Sequence, residues 1–181
     1  MQIWFISDWH FNHDKDFIWK ARGYDSVENM NQDQIAKHNS LVAEDDIVYV
    51  LGDCIMGDLE AGIAILKQLN GKKYLAFGNH DTEARIKAYI DNNFFEDIQL
   101  GYRIKKGKYS FILSHYPQLV ANGSDKAKVY SIHGHTHSPN AFSDVCHAYN
   151  VNIDAHNGYP VSIDDIIKEI KENENNVKVE V

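Results

Sequence analysis

Ile3-Trp4-Phe5-Ile6-Ser7-Asp8-Trp9-His10 is an apolar, β-branched and aromatic run ending in a carboxylate and an imidazole two residues apart. In an extended segment residues i and i+2 point the same way, so the heads of Asp8 and His10 converge. The same pattern recurs downstream. Ile47 to Leu51 reads as a buried strand closed by Gly52-Asp53, and Tyr74 to Phe77 ends in Gly78-Asn79-His80-Asp81. Phe111 to Leu113 ends in Ser114-His115-Tyr116-Pro117, and Val129 to Ile132 leads into His133-Gly134-His135-Thr136-His137. Five strand ends thus deliver ligand-capable groups. In open α/β sheets, sites form beyond the carboxyl ends of the strands.

Seven side chains stand out as metal ligands: Asp8, His10, Asp53, Asn79, His115, His135 and His137. Carboxylate, imidazole and amide oxygen together suit Mn, Fe, Zn or Ni, with Mn favoured, whereas a Ca or Mg site would be nearly all oxygen. Cys54 and Cys146 are too few for a four-thiolate site. More than four ligands exceeds one tetrahedral ion; a carboxylate shared by two ions about 3.5–4 Å apart uses the surplus. Taken singly, Asp8, Asp53 and Asn79 read as helix caps or turn residues. Their convergence with four histidines favours two divalent metal ions and hydrolase chemistry. Gly134 separates two ligands and permits a tight turn there.

The motifs Asp8-Trp9-His10, Gly52-Asp53, Gly78-Asn79-His80-Asp81, Ser114-His115 and Gly134-His135-Thr136-His137 resemble, in identity and order, the calcineurin-like metallophosphoesterase superfamily. The resemblance spans roughly residues 3 to 137. It implies a four-layer α/β-β/α sandwich of two mixed sheets flanked by helices. It further implies that Asp8, His10 and His137 bind one ion, that Asn79, His115 and His135 bind the other, and that Asp53 bridges them. His80 matches the family's catalytic histidine. The expected reaction is hydrolysis of a phosphoester, a monoester or diester of a small molecule or nucleotide, by a metal-bridging hydroxide whose pKa falls toward ~7. His80 would protonate the leaving oxygen.

The chain departs from the GDxVDRG pattern of the protein Ser/Thr phosphatase branch. Met56 stands at the aspartate position and no arginine follows, which argues against a phosphoprotein phosphatase and leaves Asp58 and Asp81 as candidates to orient His80. His13 extends the first motif; with Asn79 it is a candidate substrate contact, a solvated loop histidine being an equal alternative. His38 falls in a polar helical stretch and is expected to be exposed, His133 to be buried behind the site, and His147 and His156 have no motif support. Trp9, Phe11, Tyr116 and Tyr159 offer stacking surfaces, with core packing the stronger expectation.

A chain of 181 residues with 44% hydrophobic and 24% charged residues, three prolines and no repeat reads as a single metallophosphoesterase domain over 1–181. A length of this order buries about 70% of the unfolded surface. Neither a signal peptide nor a membrane-spanning run is evident, and the sparse cysteines fit a reducing compartment, so the expected location is cytoplasmic. The net charge of −8 has the wrong sign for general nucleic-acid binding. A small phosphorylated substrate, steered by the ions, is favoured; no residue specifies the oligomeric state.

Alternating elements are expected: helices over 26–43 and Leu59 to Leu69, a helix from Thr82 to about Asn92, one strand from Asp97 to Lys105, a strand from about Val145 to Ile153, and a helix capped by Ser162. Lys171 to Val181 is expected to fray or add an edge strand. Loops 117–128 and 138–144 are expected to shape substrate access. Two other readings remain at this point: a non-catalytic metal-bound protein-interaction scaffold on the same fold, and a protein whose metals serve folding alone.

Overall fold

Alternation of apolar side chains decides how the strands face. The computed structural model describes residues 1–120, 128–142 and 147–179. Its first half runs β1 (Ile3–Ile6), α1 (Asp16–Trp19), α2 (Val27–Leu41), β2 (Ile47–Val50), α3 (Leu59–Leu66), β3 (Lys72–Ala76), α4 (Glu83–Asp91) and β4 (Asp97–Gln99). The strands β1 to β4 pair in parallel, and an antiparallel β9 (Val161–Ser162) completes the order β4-β3-β2-β1-β9. Successive strand side chains face opposite ways, so Phe5 and Ala76 enter one core while Ile6, Val48, Val50 and Leu75 enter another. Ile35 of α2, Ile63 and Leu66 of α3 and Tyr89 of α4 close the second core.

The other sheet has the order β5 (Gly101–Lys106), β6 (Tyr109–Ser114), β7 (Lys128–His133), β8 (Ala148–Asn150), with β5 antiparallel to β6 and the remaining pairs parallel. Phe111, Leu113, Tyr130, Ile132 and Tyr149 share a core with Phe5 and Leu51 of the first sheet. Ile163, Ile166, Ile167 and Ile170 of α5 (Ile163–Val179) join it, and the Tyr149 hydroxyl donates to Glu169 Oε2 at 2.7 Å. Burying each such side chain contributes about 1.5–3 kcal/mol. The result is two mixed sheets flanked by helices, as the resemblance implied.

Helices begin where side chains satisfy their free amides. Ser26 accepts from Asn29 N, Asp58 from Ala61 N and Thr82 from Arg85 N, capping α2, α3 and α4. Ser162 Oγ accepts from Asp165 N at 3.1 Å, as its sequence position predicts.

Several elements differ from expectation. The single strand expected over Asp97 to Lys105 is two, β4 in the first sheet and β5 in the second, with Leu100 between them. Gly101 lies so near the partner strand that a Cβ there would sit 2.5 Å from the Leu113 carbonyl oxygen, a close approach only glycine permits. His38 is fully buried rather than exposed, its Nε2–H donating to the Asn70 carbonyl at 3.0 Å and its ring edge-on to Trp9. Residues 171 to 179 continue α5 instead of fraying or forming a strand, and Glu174 accepts from Lys128 Nζ at 2.8 Å. Cys146, the start of the strand expected from Val145 and parts of loops 117–128 and 138–144 lie outside the described residues.

Candidate metal centre

Register brings the strand ends abreast. Ile6 pairs with Val50 and Val50 with Leu75, so the loops after β1, β2 and β3 leave the first sheet at one edge. Leu113 and Ile132 are likewise abreast in the second sheet, and a bridge between Ser7 and Asn152 ties the two edges together. Asp8, His10, Asp53, His135 and His137 all adopt left-handed backbone, with φ of 61, 52, 58, 66 and 48°. Asp and His tolerate this region better than most residues, yet each instance costs on the order of 1–3 kcal/mol. Such strain is held where surrounding contacts over-determine it.

Those contacts are specific. Asp8 Oδ2 accepts from Ser7 Oγ at 2.6 Å and from His135 N at 2.9 Å, which leaves Oδ1 free. Asp53 Oδ1 accepts from His80 N at 2.9 Å, which leaves Oδ2 free. Beneath both, buried Asp81 accepts from the amides of Asp53 (2.8 Å), Gly78 (2.9 Å) and Cys54 (3.2 Å) and from the Tyr89 hydroxyl (3.1 Å). One carboxylate thus knots the loops after β2 and β3. A Cβ at Gly52 would lie 2.5 Å from His115 Nδ1, and one at Gly134 2.5 Å from Asp8 Oδ2, so both loops approach more closely than a side chain allows.

The free atoms face one another. Asp8 Oδ1 is 3.8 Å from His10 Nε2 and 3.7 Å from His137 Nε2. Asp53 Oδ2 is 3.7 Å from His10 Nε2 and 3.5 Å from His115 Nε2. Two donors each about 2.1 Å from one ion are themselves roughly 3–3.5 Å apart, so these spacings suit chelation after small adjustment. Asp8, His10 and His137 form one set of atoms mutually within 4.8 Å; Asp8, Asp53 and His115 form another. His115 Nδ1 donates to the Leu51 carbonyl at 2.8 Å, so the neutral ring turns a lone pair from Nε2 toward Asn79 Oδ1 at 2.9 Å and His135 Nδ1 at 3.1 Å. An imidazole lone pair facing a carbonyl oxygen repels it, and a cation between them removes the repulsion. Asp8 Oδ1 and His10 Nε2 are likewise buried with no hydrogen-bond partner among the described residues. Mixed oxygen and imidazole donors of this kind fit a borderline divalent ion.

Electrostatics agrees with that reading. Burial pushes the Asp8 carboxyl up, but the adjacent His10 imidazole and the hydrogen bond from Ser7, with His137 and His115 nearby, hold it below its ordinary value. Burial and the neighbouring His115 keep His135 below the usual imidazole value, in the neutral form a ligand needs. Burial lifts Asp81 above the ordinary carboxyl value.

Residues 1–181 match the calcineurin-like phosphoesterase family. The chain belongs to that family. It is 32% identical over 177 residues to the uncharacterized protein MJ1445 of Methanocaldococcus jannaschii, covering 94% of this chain and 92% of the relative. It is 31% identical over 179 residues to the Gene 66 protein of Mycobacterium phage L5, covering 83% and 84%. Among solved structures, the fold is similar to the AQ665 protein of unknown function from Aquifex aeolicus, with a TM-score of 0.70 at 24% identity over 92% of this chain and 98% of the other.

Around this calcineurin-like core sit residues the sequence did not announce. Asp154 Oδ2 accepts from His137 Nδ1 at 2.6 Å, and Arg22 grips Asp154 through Nε (2.8 Å) and Nη2 (3.2 Å) while donating to the carbonyls of Asp8 and Trp9, each at 3.1 Å. Asp154 follows Asn152-Ile153 at the end of a largely apolar segment, the same position as the candidate ligands, so that rule extended one element further finds it. Arg22 has no comparable signal. Exposed Tyr116 donates to Asn79 Oδ1 at 3.3 Å. The half-buried His80 ring lies 5.4 Å from that of His10 and makes no hydrogen bond among the described residues; Asp58 caps α3 and Asp81 ties loops, so neither carboxylate is bonded to it. His13 sits with its ring 5.6 Å from His10, and burial with neighbouring His10 holds its pKa down at about 4. His133 is buried and donates from Nδ1 to the Gly134 carbonyl at 2.8 Å. Trp9 and Phe11 are wholly buried and pack, whereas Tyr116 and Tyr159 are exposed.

Proposed function

We propose that residues 1–181 act as one binuclear phosphoesterase domain, cleaving a small phosphorylated monoester or diester in the cytoplasm. In this reading Asp8, His10 and His137 hold one divalent ion, Asn79, His115 and His135 the other, and Asp53 joins them, with Mn favoured over Fe, Zn or Ni. The observation that carries it is Asp53 Oδ2, which lies within 3.7 Å of His10 Nε2 and 3.5 Å of His115 Nε2 with its other oxygen engaged by His80 N. Divalent ions in such a centre neutralise phosphate charge and make water nucleophilic at neutral pH.

The protein's own groups do the rest. Asp8 and Asp53 are each anchored through one oxygen and present the other, so donor positions are set before anything binds. Leu51 fixes the His115 tautomer and Asp154 fixes that of His137. His80, close to His10 and partly open to solvent, donates a proton to the leaving oxygen. His13 and the exposed Asn79 contact the substrate phosphate. Among the described residues no helix is long and apolar enough to cross a membrane.

The test is metal analysis of purified protein alongside hydrolysis of p-nitrophenyl phosphate and its bis-ester, with Mn and with chelator. Two ions per chain and chelator-sensitive turnover are expected, with Asp53→Asn losing both. Metal-replete protein inert toward a broad phosphoester panel would instead favour the scaffold reading.

A further inference from the structure

A cavity of about 580 Å³ has His10 and His137 of the first candidate ligand set in its lining, with Phe17, Ile18, Pro139 and Ile153 among its walls. That volume suits an organic group of nucleoside size. Its charge is already balanced. Arg22 is ion-paired with Asp154 at 2.8 Å and Lys37 with Asp33 at 2.7 Å, so neither cation is left over for a second phosphate.

Gln34 also lines this cavity. It sits on the buried face of α2, only 1% exposed, and neither Oε1 nor Nε2 has a hydrogen-bond partner among the described residues. Buried amides are almost always paired, because an unmet donor or acceptor loses its hydration without return. A side-chain amide pairs best with a group that sets a donor and an acceptor side by side, as an amide or a nucleobase edge does.

Resting on the phosphoesterase reading above, we infer that this cavity seats the organic part of the substrate, and that this part is an uncharged group with an amide-type edge read by Gln34 once its side chain, closed off in this structure, turns into the cavity. The apolar walls take its flat body, and the phosphoester is thereby placed beside His10 and His137, which share the lining. Cyclic and open-chain amides share this chemistry, and substrates of both kinds separate them.

Three diesters decide the matter on Mn-loaded protein: bis-p-nitrophenyl phosphate, the p-nitrophenyl ester of thymidine 5′-phosphate, and p-nitrophenyl N-acetylaminoethyl phosphate. One amide-bearing ester is expected to exceed the bis-ester in kcat/KM by about 10-fold or more, mainly through KM, and Gln34→Met is expected to cut that ratio by about 10- to 100-fold. Ala21→Trp changes an exposed residue lining the same cavity, folds independently of the Gln34 amide, and is expected to cut the ratio as well. Calorimetric binding of thymidine and of N-acetylethanolamine to wild type and both variants gives a readout free of turnover. Gln34-dependent binding without cleavage of any ester keeps the cavity assignment and sinks the phosphoesterase reading. Cleavage with no amide preference, a preference that survives in both variants, or no binding of either compound overturns the cavity assignment.

Discussion

Asp154 Oδ2 accepts a hydrogen bond from His137 Nδ1 at 2.6 Å. The bond puts the His137 proton on Nδ1 and leaves the Nε2 lone pair facing Asp8 Oδ1, 3.7 Å away. Arg22 holds Asp154 with two nitrogens and, through the carbonyls of Asp8 and Trp9, fixes the β1 loop to the same point. A candidate ligand from the second sheet and the candidate ligand loop of the first are therefore positioned by one guanidinium.

Replacing Asp154 by asparagine removes the charge that orients His137 while keeping its size. Mn affinity, read by competition with a chelating dye, is expected to weaken about 10- to 100-fold with the fold intact by circular dichroism. Unchanged affinity would leave the Asp154–His137 bond without a role in metal binding.

His80→Ala is expected to leave metal content unchanged, since its bond to Asp53 comes from the backbone amide, which the substitution keeps. Turnover should fall by about 100- to 10,000-fold. Metal content and kcat measured on the same preparation check this; retained kcat removes His80 from the chemistry.

Asp81→Ala strips partners from three buried amides and the Tyr89 hydroxyl together. A loss of about 3 kcal/mol of unfolding free energy is expected from urea titration of metal-free protein. Because those amides belong to the loops carrying Asp53 and Asn79, metal affinity should weaken in parallel. A loss near zero would mean that the loops hold without the knot.

His38 predicts a pH dependence of stability. Burial, only partly offset by its bond to the Asn70 carbonyl, lowers its pKa from 6.5 to about 4. Between those values the unfolded chain carries the extra proton, so stability is intact above pH 6.5, declines as pH falls and levels off below about 4. The His38 share amounts to about 3 kcal/mol, taking about 1.4 kcal/mol per unit. Denaturant titrations of wild type and His38→Gln from pH 7.5 to 4 in chelator isolate it, because other titrating groups cancel in the difference. Parallel curves would show that His38 protonates without cost.

The fold class and the clustering of donor-capable side chains were legible in the sequence. Asp8, His10, Asp53 and His115 each follow an apolar run, and the structure brings their heads together. His38 was misread because hydrophobic patterning counts every histidine as polar, whereas one hydrogen bond and a Trp9 contact suffice to bury a neutral ring. The division of 97–106 into two strands was hidden because both pieces carry strand-forming residues, and only a partner strand's proximity to Gly101 separates them.

By itself the amino-acid sequence determined the kinds of donor atom, their places at strand ends and the alternation that sorts side chains between two cores. These are local properties, set by residue chemistry and backbone period. Tertiary structure alone decided that the strand ends lie abreast, that five of the candidate ligand residues take left-handed backbone, and that Arg22 and Asp154 reach the site. Such relations join residues up to 132 positions apart, and they arise from strand register and buried hydrogen bonding, which no local pattern encodes.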